Sequence, residues 1–138
     1  ENVLAAPVVA LAGGTATLDL GLGLHVVVPR AGLVLGERAV VAVRSDDVLL
    51  ATEKPTGLSA RNVLPARVLD WVEDGDDVVL RLALGEGPGG ADAPRLLAQV
   101  TAAAVRELRL QPGARVFAIF KTRSTRVLSA APSREGGD

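Results

Sequence analysis

Apolar and polar residues alternate along much of this chain. Thr17-Leu18-Asp19-Leu20-Gly21-Leu22 alternates residue by residue, and Asp77-Val78-Val79-Leu80-Arg81-Leu82-Ala83-Leu84 follows the same rhythm over a longer stretch. A period of two sends successive side chains to opposite faces, so these segments are predicted as half-buried β-strands. Val26-Val27-Val28 and Val40-Val41-Ala42-Val43 are unbroken apolar runs and predict short, more fully buried strands. Gly13-Gly14, Gly36, Asp74-Gly75 and Pro112-Gly113 punctuate these runs as turns. In the C-terminal part the strands are expected at 63–73, 77–84, 95–100, 114–121 and 125–129. One short helix is expected between the third and fourth of these. Thr101 can cap it, Arg106 and Glu107 face outward, and Val105 and Leu108 face inward.

The pattern occurs twice. Asn2-Val3-Leu4-Ala5-Ala6-Pro7-Val8 is echoed by Asn62-Val63-Leu64-Pro65-Ala66-Arg67-Val68. Gly36-Glu37-Arg38-Ala39-Val40 and Val43-Arg44-Ser45 are echoed by Gly113-Ala114-Arg115-Val116-Phe117 and Phe120-Lys121-Thr122. An internal repeat defines the architecture before any single residue is interpreted. The expectation is an all-β protein of two tandem five-stranded barrels of the oligonucleotide/oligosaccharide-binding type, with the short helix in the second copy. Lys54-Pro55-Thr56-Gly57 marks the junction. The expected division is 1–57 for a first, divergent barrel, 58–130 for the second, and 131–138 for a small, polar, disordered tail.

Composition narrows this picture. Of the 138 residues 49% are hydrophobic but only 2% aromatic, so the core must be built from Val, Leu, Ile and Ala. Units of roughly 60–70 residues bury too little surface to be comfortably stable alone, which favours packing of the copies on each other or on a second chain. The absence of cysteine excludes disulfides and thiolate metal sites. A net charge of -1 gives no general reason to expect nucleic acid. No apolar run reaches the roughly 20 residues that span a bilayer. Glu1-Asn2-Val3 has neither a basic n-region nor an initiator Met, which suggests a fragment or a processed chain.

Most candidate chemistries fail on context. Gly85, Gly87 and Gly90 have G-x-G-x-x-G spacing, but Pro88 and Pro94 oppose the helix that a dinucleotide site requires, so a hairpin loop is expected. Lys54 and Lys121 are the only lysines and neither follows the glycine of a P-loop, so no ATP hydrolysis is expected of these residues. His25 is the sole histidine, and one histidine makes neither a catalytic triad nor a His-based metal cluster. Glu73-Asp74-Gly75-Asp76-Asp77 lacks the ligand spacing of a calcium loop and reads as a hairpin turn. Ser59-Ala60-Arg61-Asn62 differs from these. It places a hydroxyl, a guanidinium and an amide within four residues, a donor set that suits a small oxyanion. Between Arg95 and Arg126 there are seven basic residues and one acid, and Lys121 closes an apolar strand where a cation could face a site. Residue types alone support equally a capped strand start with solvated arginines.

Ser59-Ala60-Arg61-Asn62-Val63-Leu64-Pro65-Ala66-Arg67-Val68 resembles the opening of the molybdate-binding module of molbindins. Val105-Arg106-Glu107-Leu108-Arg109-Leu110-Gln111-Pro112-Gly113 and Val116-Phe117-Ala118-Ile119-Phe120-Lys121 look like its remainder. The first half, with the junction Val43-Arg44-Ser45-Asp46-Asp47-Val48-Leu49-Leu50-Ala51, is similar to the companion copy in the C-terminal regulatory region of molybdate ABC transporter ATPase subunits. The resemblance implies a non-catalytic, cytoplasmic sensor without a cofactor, whose ligand is molybdate or tungstate. It also implies a homodimer, an attached ATP-binding domain and, through that domain, the membrane permease as partners, with no nucleic acid and no membrane insertion. Carried over residue by residue, it points to Ser59, Arg61, Asn62 and Lys121 as oxyanion ligands. Two departures stand out. The helix opening Thr-x-x-Ser is here Thr101-Ala102-Ala103-Ala104, and Glu1 stands where the second copy has Arg61. The alternatives are a free molbindin-type storage protein, a non-binding accessory domain of another importer ATPase, and the effector half of a molybdate-responsive transcription regulator.

Overall fold

The computed structural model describes residues 1–132. Ten strands and one α-helix follow in the order β1 (Asn2–Ala12), β2 (Thr15–Gly21), β3 (Leu24–Pro29), β4 (Arg38–Val43), β5 (Leu49–Ala51), β6 (Asn62–Asp74), β7 (Asp77–Leu84), β8 (Arg95–Thr101), α1 (Ala102–Glu107), β9 (Arg115–Phe120) and β10 (Thr125–Ala131). Single 3₁₀ turns, Ser45–Asp47 and Thr122–Ser124, precede β5 and β10. Every second residue is buried in β1 up to Val8, in β2 up to Leu18 and in β6 up to Val68, the period expected of half-buried strands. Thr101 caps α1 as expected, its Oγ1 accepting from Ala104 N at 3.1 Å.

The strands form two antiparallel five-stranded sheets, ordered β10-β4-β1-β2-β3 and β5-β9-β6-β7-β8. The all-β architecture with a helix in the second copy is therefore present. Its final strands, however, are exchanged. Segment 125–129, expected as the fifth strand of the second copy, pairs with β4 of the first, Thr125 opposite Val43 and Ala131 opposite Arg38. In return β5 pairs with β9, Leu49 opposite Ile119. The physical reason is reach. Each 3₁₀ turn follows the strand before it at once and carries the chain over to the other sheet, the first packing on β8 and the second on β3. Ala131, expected to open a disordered tail, is the last residue of β10; residues 133–138 of that tail lie outside the described residues.

The long first strand of each copy bends at the same place. The register shifts between Val8 and Ala10 in β1, and between Val68 and Asp70 in β6. There Val8 N donates to Glu37 O at 2.8 Å, and Val68 N to Ala114 O at 2.9 Å. Such bulges increase twist, and here they let one strand serve both sides of a curled sheet. The core beneath is Val, Leu and Ala with Ile119, and Phe120 is the one fully buried aromatic ring among the described residues. The acidic run is a β6–β7 hairpin in which Gly75 takes the left-handed conformation, φ 64°. The glycine-rich segment joins β7 directly to β8, so no helix follows it.

Two asparagines tie the sheets together. Asn62 is buried at the start of β6; its Nδ2 donates to Val27 O at 3.0 Å and its Oδ1 accepts from Val27 N at 2.7 Å, both on β3 of the other sheet. Asn2 does the same to Leu97 of β8, at 2.9 and 2.7 Å. A primary amide matches the donor and acceptor of one backbone residue, so each clamp satisfies a strand edge that would otherwise lack partners.

Candidate functional site

The segment leading into β6 has no regular structure, and it runs beside the turn that leaves β9. Together they form a cavity of about 270 Å³ lined by Ser59, Arg61, Lys121, Thr122 and Arg123. Three of the four sequence-predicted residues thus meet. The fourth, Asn62, is not in the lining; its amide is held by Val27. Position 62 therefore anchors the segment that carries Ser59 and Arg61, and does not offer its amide to the cavity.

Arg61 folds back on its own segment. Its Nε donates to Ser59 O at 3.2 Å and its NH2 to Leu58 O at 2.8 Å. Two carbonyls thereby orient the guanidinium and leave its remaining N–H groups unpaired. Lys121 and Arg123 have no side-chain partner among the described residues, and no carboxylate lines the cavity. The Thr122 Oγ1 is buried and makes no hydrogen bond. A buried hydroxyl without a partner costs about 1–3 kcal/mol. Thr122 and Arg123 were not singled out from sequence. The available signal was their position directly after Lys121, in a region already rich in basic residues.

Three cations and two hydroxyl-bearing residues line the cavity without an acid, a set whose charge suits a small multivalent anion. Ser59, Arg61, Lys121 and Arg123 are all exposed, so the cavity opens to solvent. Among the described residues no group of three or more His, Asp and Glu side chains could hold a metal ion, and no helix is long and apolar enough to cross a membrane. His25 lies on β3 opposite Asp19, away from the cavity.

Comparison with known proteins places this geometry in a family. The model of the TOBE domain matches residues 58–127, half of the chain. The chain belongs to the TOBE domain family. The matched segment contains β6 to β9 and all five cavity residues, so the cavity lies within the TOBE domain. The Molybdenum import ATP-binding protein ModC of Mesorhizobium japonicum is 38% identical over 100 residues, covering 69% of this chain and 24% of that protein. ModC of Rhodospirillum rubrum is 37% identical over 111 residues, covering 80% of this chain and 30% of that protein. The chain thus spans less than a third of the length of these curated relatives. A crystal structure of the cytoplasmic molybdate-binding protein ModG, with molybdate bound, superposes with a TM-score of 0.73 at 31% identity, covering 91% of this chain and 94% of that one. The superposition covers most of both chains, so the two-sheet arrangement is shared with ModG.

Proposed function

We propose that this chain is the molybdate- or tungstate-binding regulatory domain of a molybdate import ABC transporter ATPase, and that it reports the intracellular oxyanion level to the transporter. The observation that carries this reading is the acid-free cavity. Ser59, Arg61, Lys121, Thr122 and Arg123 converge there. The similarity to ModC supports the transporter, and the similarity to molybdate-bound ModG supports the ligand. In this reading Ser59, Arg61 and Lys121 are direct ligands together with Thr122, and Asn62 acts by holding the segment in place. The chain has no catalytic role of its own; ATP hydrolysis belongs to an attached ATP-binding domain, which in turn meets the permease at the cytoplasmic face of the membrane.

The cavity is open on one side, which supports completion by a second copy of the chain in a homodimer. A dianion bridging two copies would favour the paired arrangement by its difference in affinity for the two states, as any allosteric ligand must. Hydrogen bonds to a charged group contribute roughly 1.5–3 kcal/mol each, so three or four could give micromolar affinity after ordering costs. A second reading, a free oxyanion-binding protein, is favoured by the coverage of ModG over almost its whole length.

Titration calorimetry with molybdate, tungstate and sulfate tests the ligand, with Trp71 fluorescence as an independent signal. Saturable binding of molybdate and tungstate is expected, with sulfate weaker. Arg61→Ala should weaken molybdate by roughly 2–5 kcal/mol, the loss typical when one member of a close charge pair is removed. Absence of heat and of any fluorescence change at millimolar molybdate would sink the reading. An ATP-binding domain encoded in the same reading frame would separate the transporter from the free protein.

A further inference from the structure

The first half of the chain builds its own pocket at the place equivalent to the cationic cavity. The equivalence follows from the topology. β1 and β6 each begin at a clamping asparagine, β4 and β9 pair beside them, and each of these is followed at once by a 3₁₀ turn. By position, Glu1 answers to Arg61, Arg44 to Lys121, Ser45 to Thr122 and Asp46 to Arg123. The pocket measures about 330 Å³ and is lined by Glu1, Arg44, Ser45, Asp46, Gln99 and Arg126.

Its donors alone would suit the same ligand class, since two guanidiniums and a hydroxyl converge on one space, while the Gln99 Nε2 beside them donates to Asp77 at 3.0 Å. Here, however, the guanidiniums are already answered. Arg44 donates Nε and NH2 to the two oxygens of Asp46 at 2.9 and 2.8 Å, a bidentate fork. Arg126, arriving on the exchanged strand β10, donates NH2 to the Glu1 carboxylate. Two carboxylates bring two negative charges and four acceptor oxygens, the inventory of a tetrahedral dianion. The charged side chains of the pocket, two cations and two carboxylates, therefore sum to zero, against three unopposed cations in the other.

We propose that the first pocket is an oxyanion site closed by the chain's own carboxylates, so that Glu1 and Asp46 restrict binding to one oxyanion per chain. The inference rests on the oxyanion reading of the second cavity. An outside anion would have to displace carboxylates tethered beside their partners, which compete at high effective concentration. The first pocket thus holds the start of β1, the turn Ser45–Asp47 and β10 in one arrangement whatever the ligand level, and the response to ligand belongs to the second cavity alone.

Counting bound molybdate per chain by equilibrium dialysis and native mass spectrometry tests this. The wild-type chain should bind one, and the Glu1→Gln/Asp46→Asn variant should bind two. Adding Arg126→Gln to that variant should return the count to one. Circular dichroism and thermal melting of each protein verify the fold, and these half-exposed residues leave the core untouched. An unchanged count in the double variant, or two molybdates on the wild type, would overturn the proposal. A wild type that binds none beside a double variant that binds one would uphold it while refuting the sensor reading of the second cavity. No binding to either protein would refute both.

Discussion

Asn2 and Asn62 perform one task in two places. Each reaches from the first residue of its strand to a residue of the opposite sheet, with donor and acceptor distances of 2.9 and 2.7 Å in one clamp and 3.0 and 2.7 Å in the other. One residue earlier the halves part, Glu1 against Arg61. Groups that satisfy the backbone are alike in both halves, whereas groups that face the pockets differ in charge. Burial explains the contrast. A clamp residue cannot change without leaving two strand-edge groups unpaired, while a half-exposed pocket residue can change sign at little cost to the fold.

The strongest test of this symmetry is removal of the clamps. Asn62→Ala and Asn2→Ala should each destabilise by roughly 2–6 kcal/mol, since two backbone groups lose their partners at about 1–3 kcal/mol apiece. Chemical denaturation should find the two losses equal to within about 1 kcal/mol, the spread usual for hydrogen-bond deletions; a much larger gap would break the equivalence. A smaller effect separates the pockets. Thr122→Val should weaken molybdate roughly 10- to 150-fold, the range of one hydrogen bond to a charged acceptor, with stability held or slightly raised because the buried hydroxyl is gone. Ser45→Ala, its counterpart in the self-paired pocket, should leave molybdate affinity unchanged. Titration calorimetry on the two variants would show this difference directly, and equal losses would mean that both pockets take the ligand.

The smallest expected effect is on pH dependence. The hydrogen bond from Arg44, and its charge, hold the Asp46 carboxyl below its ordinary value of 3.8; Arg81 does the same to Asp70, at 3.0 and 2.6 Å. A carboxylate whose value is depressed by folding adds stability that is complete above the unfolded value and is lost as pH falls through the folded one. Stability should therefore decline below about pH 4, the range of unfolded carboxylates. Asp46→Asn should flatten part of that decline, as thermal melts between pH 2 and 5 would show. Both pairs are solvent-exposed, so each slope is shallow.

Strand positions and faces were legible because burial alternates with a period of two, a local property. Thr101 as a cap and Asp74-Gly75 as a turn were legible for the same reason. Which sheet a strand joins was not, since β5 and β10 would show the same alternation in either partner. Asn62 shows a subtler difficulty. Its residue type and its neighbours Ser59 and Arg61 suggested a ligand, yet the echo at Asn2 was already in the sequence. An amide that recurs where the arginine does not points to a task both halves share. The orphaned hydroxyl of Thr122 was not legible at all, because it depends on what the fold withholds from that atom.

The exchange of β5 and β10 bears on what happens if the chain is cut. Cleavage in the irregular stretch between β5 and β6 would produce two fragments, and neither would contain a whole sheet. The N-terminal piece would carry β5 with no β9 to receive it, and the C-terminal piece would carry β10 with no β4. Each would be the missing strand donor of the other, so the fragments should reassociate as a complementing pair.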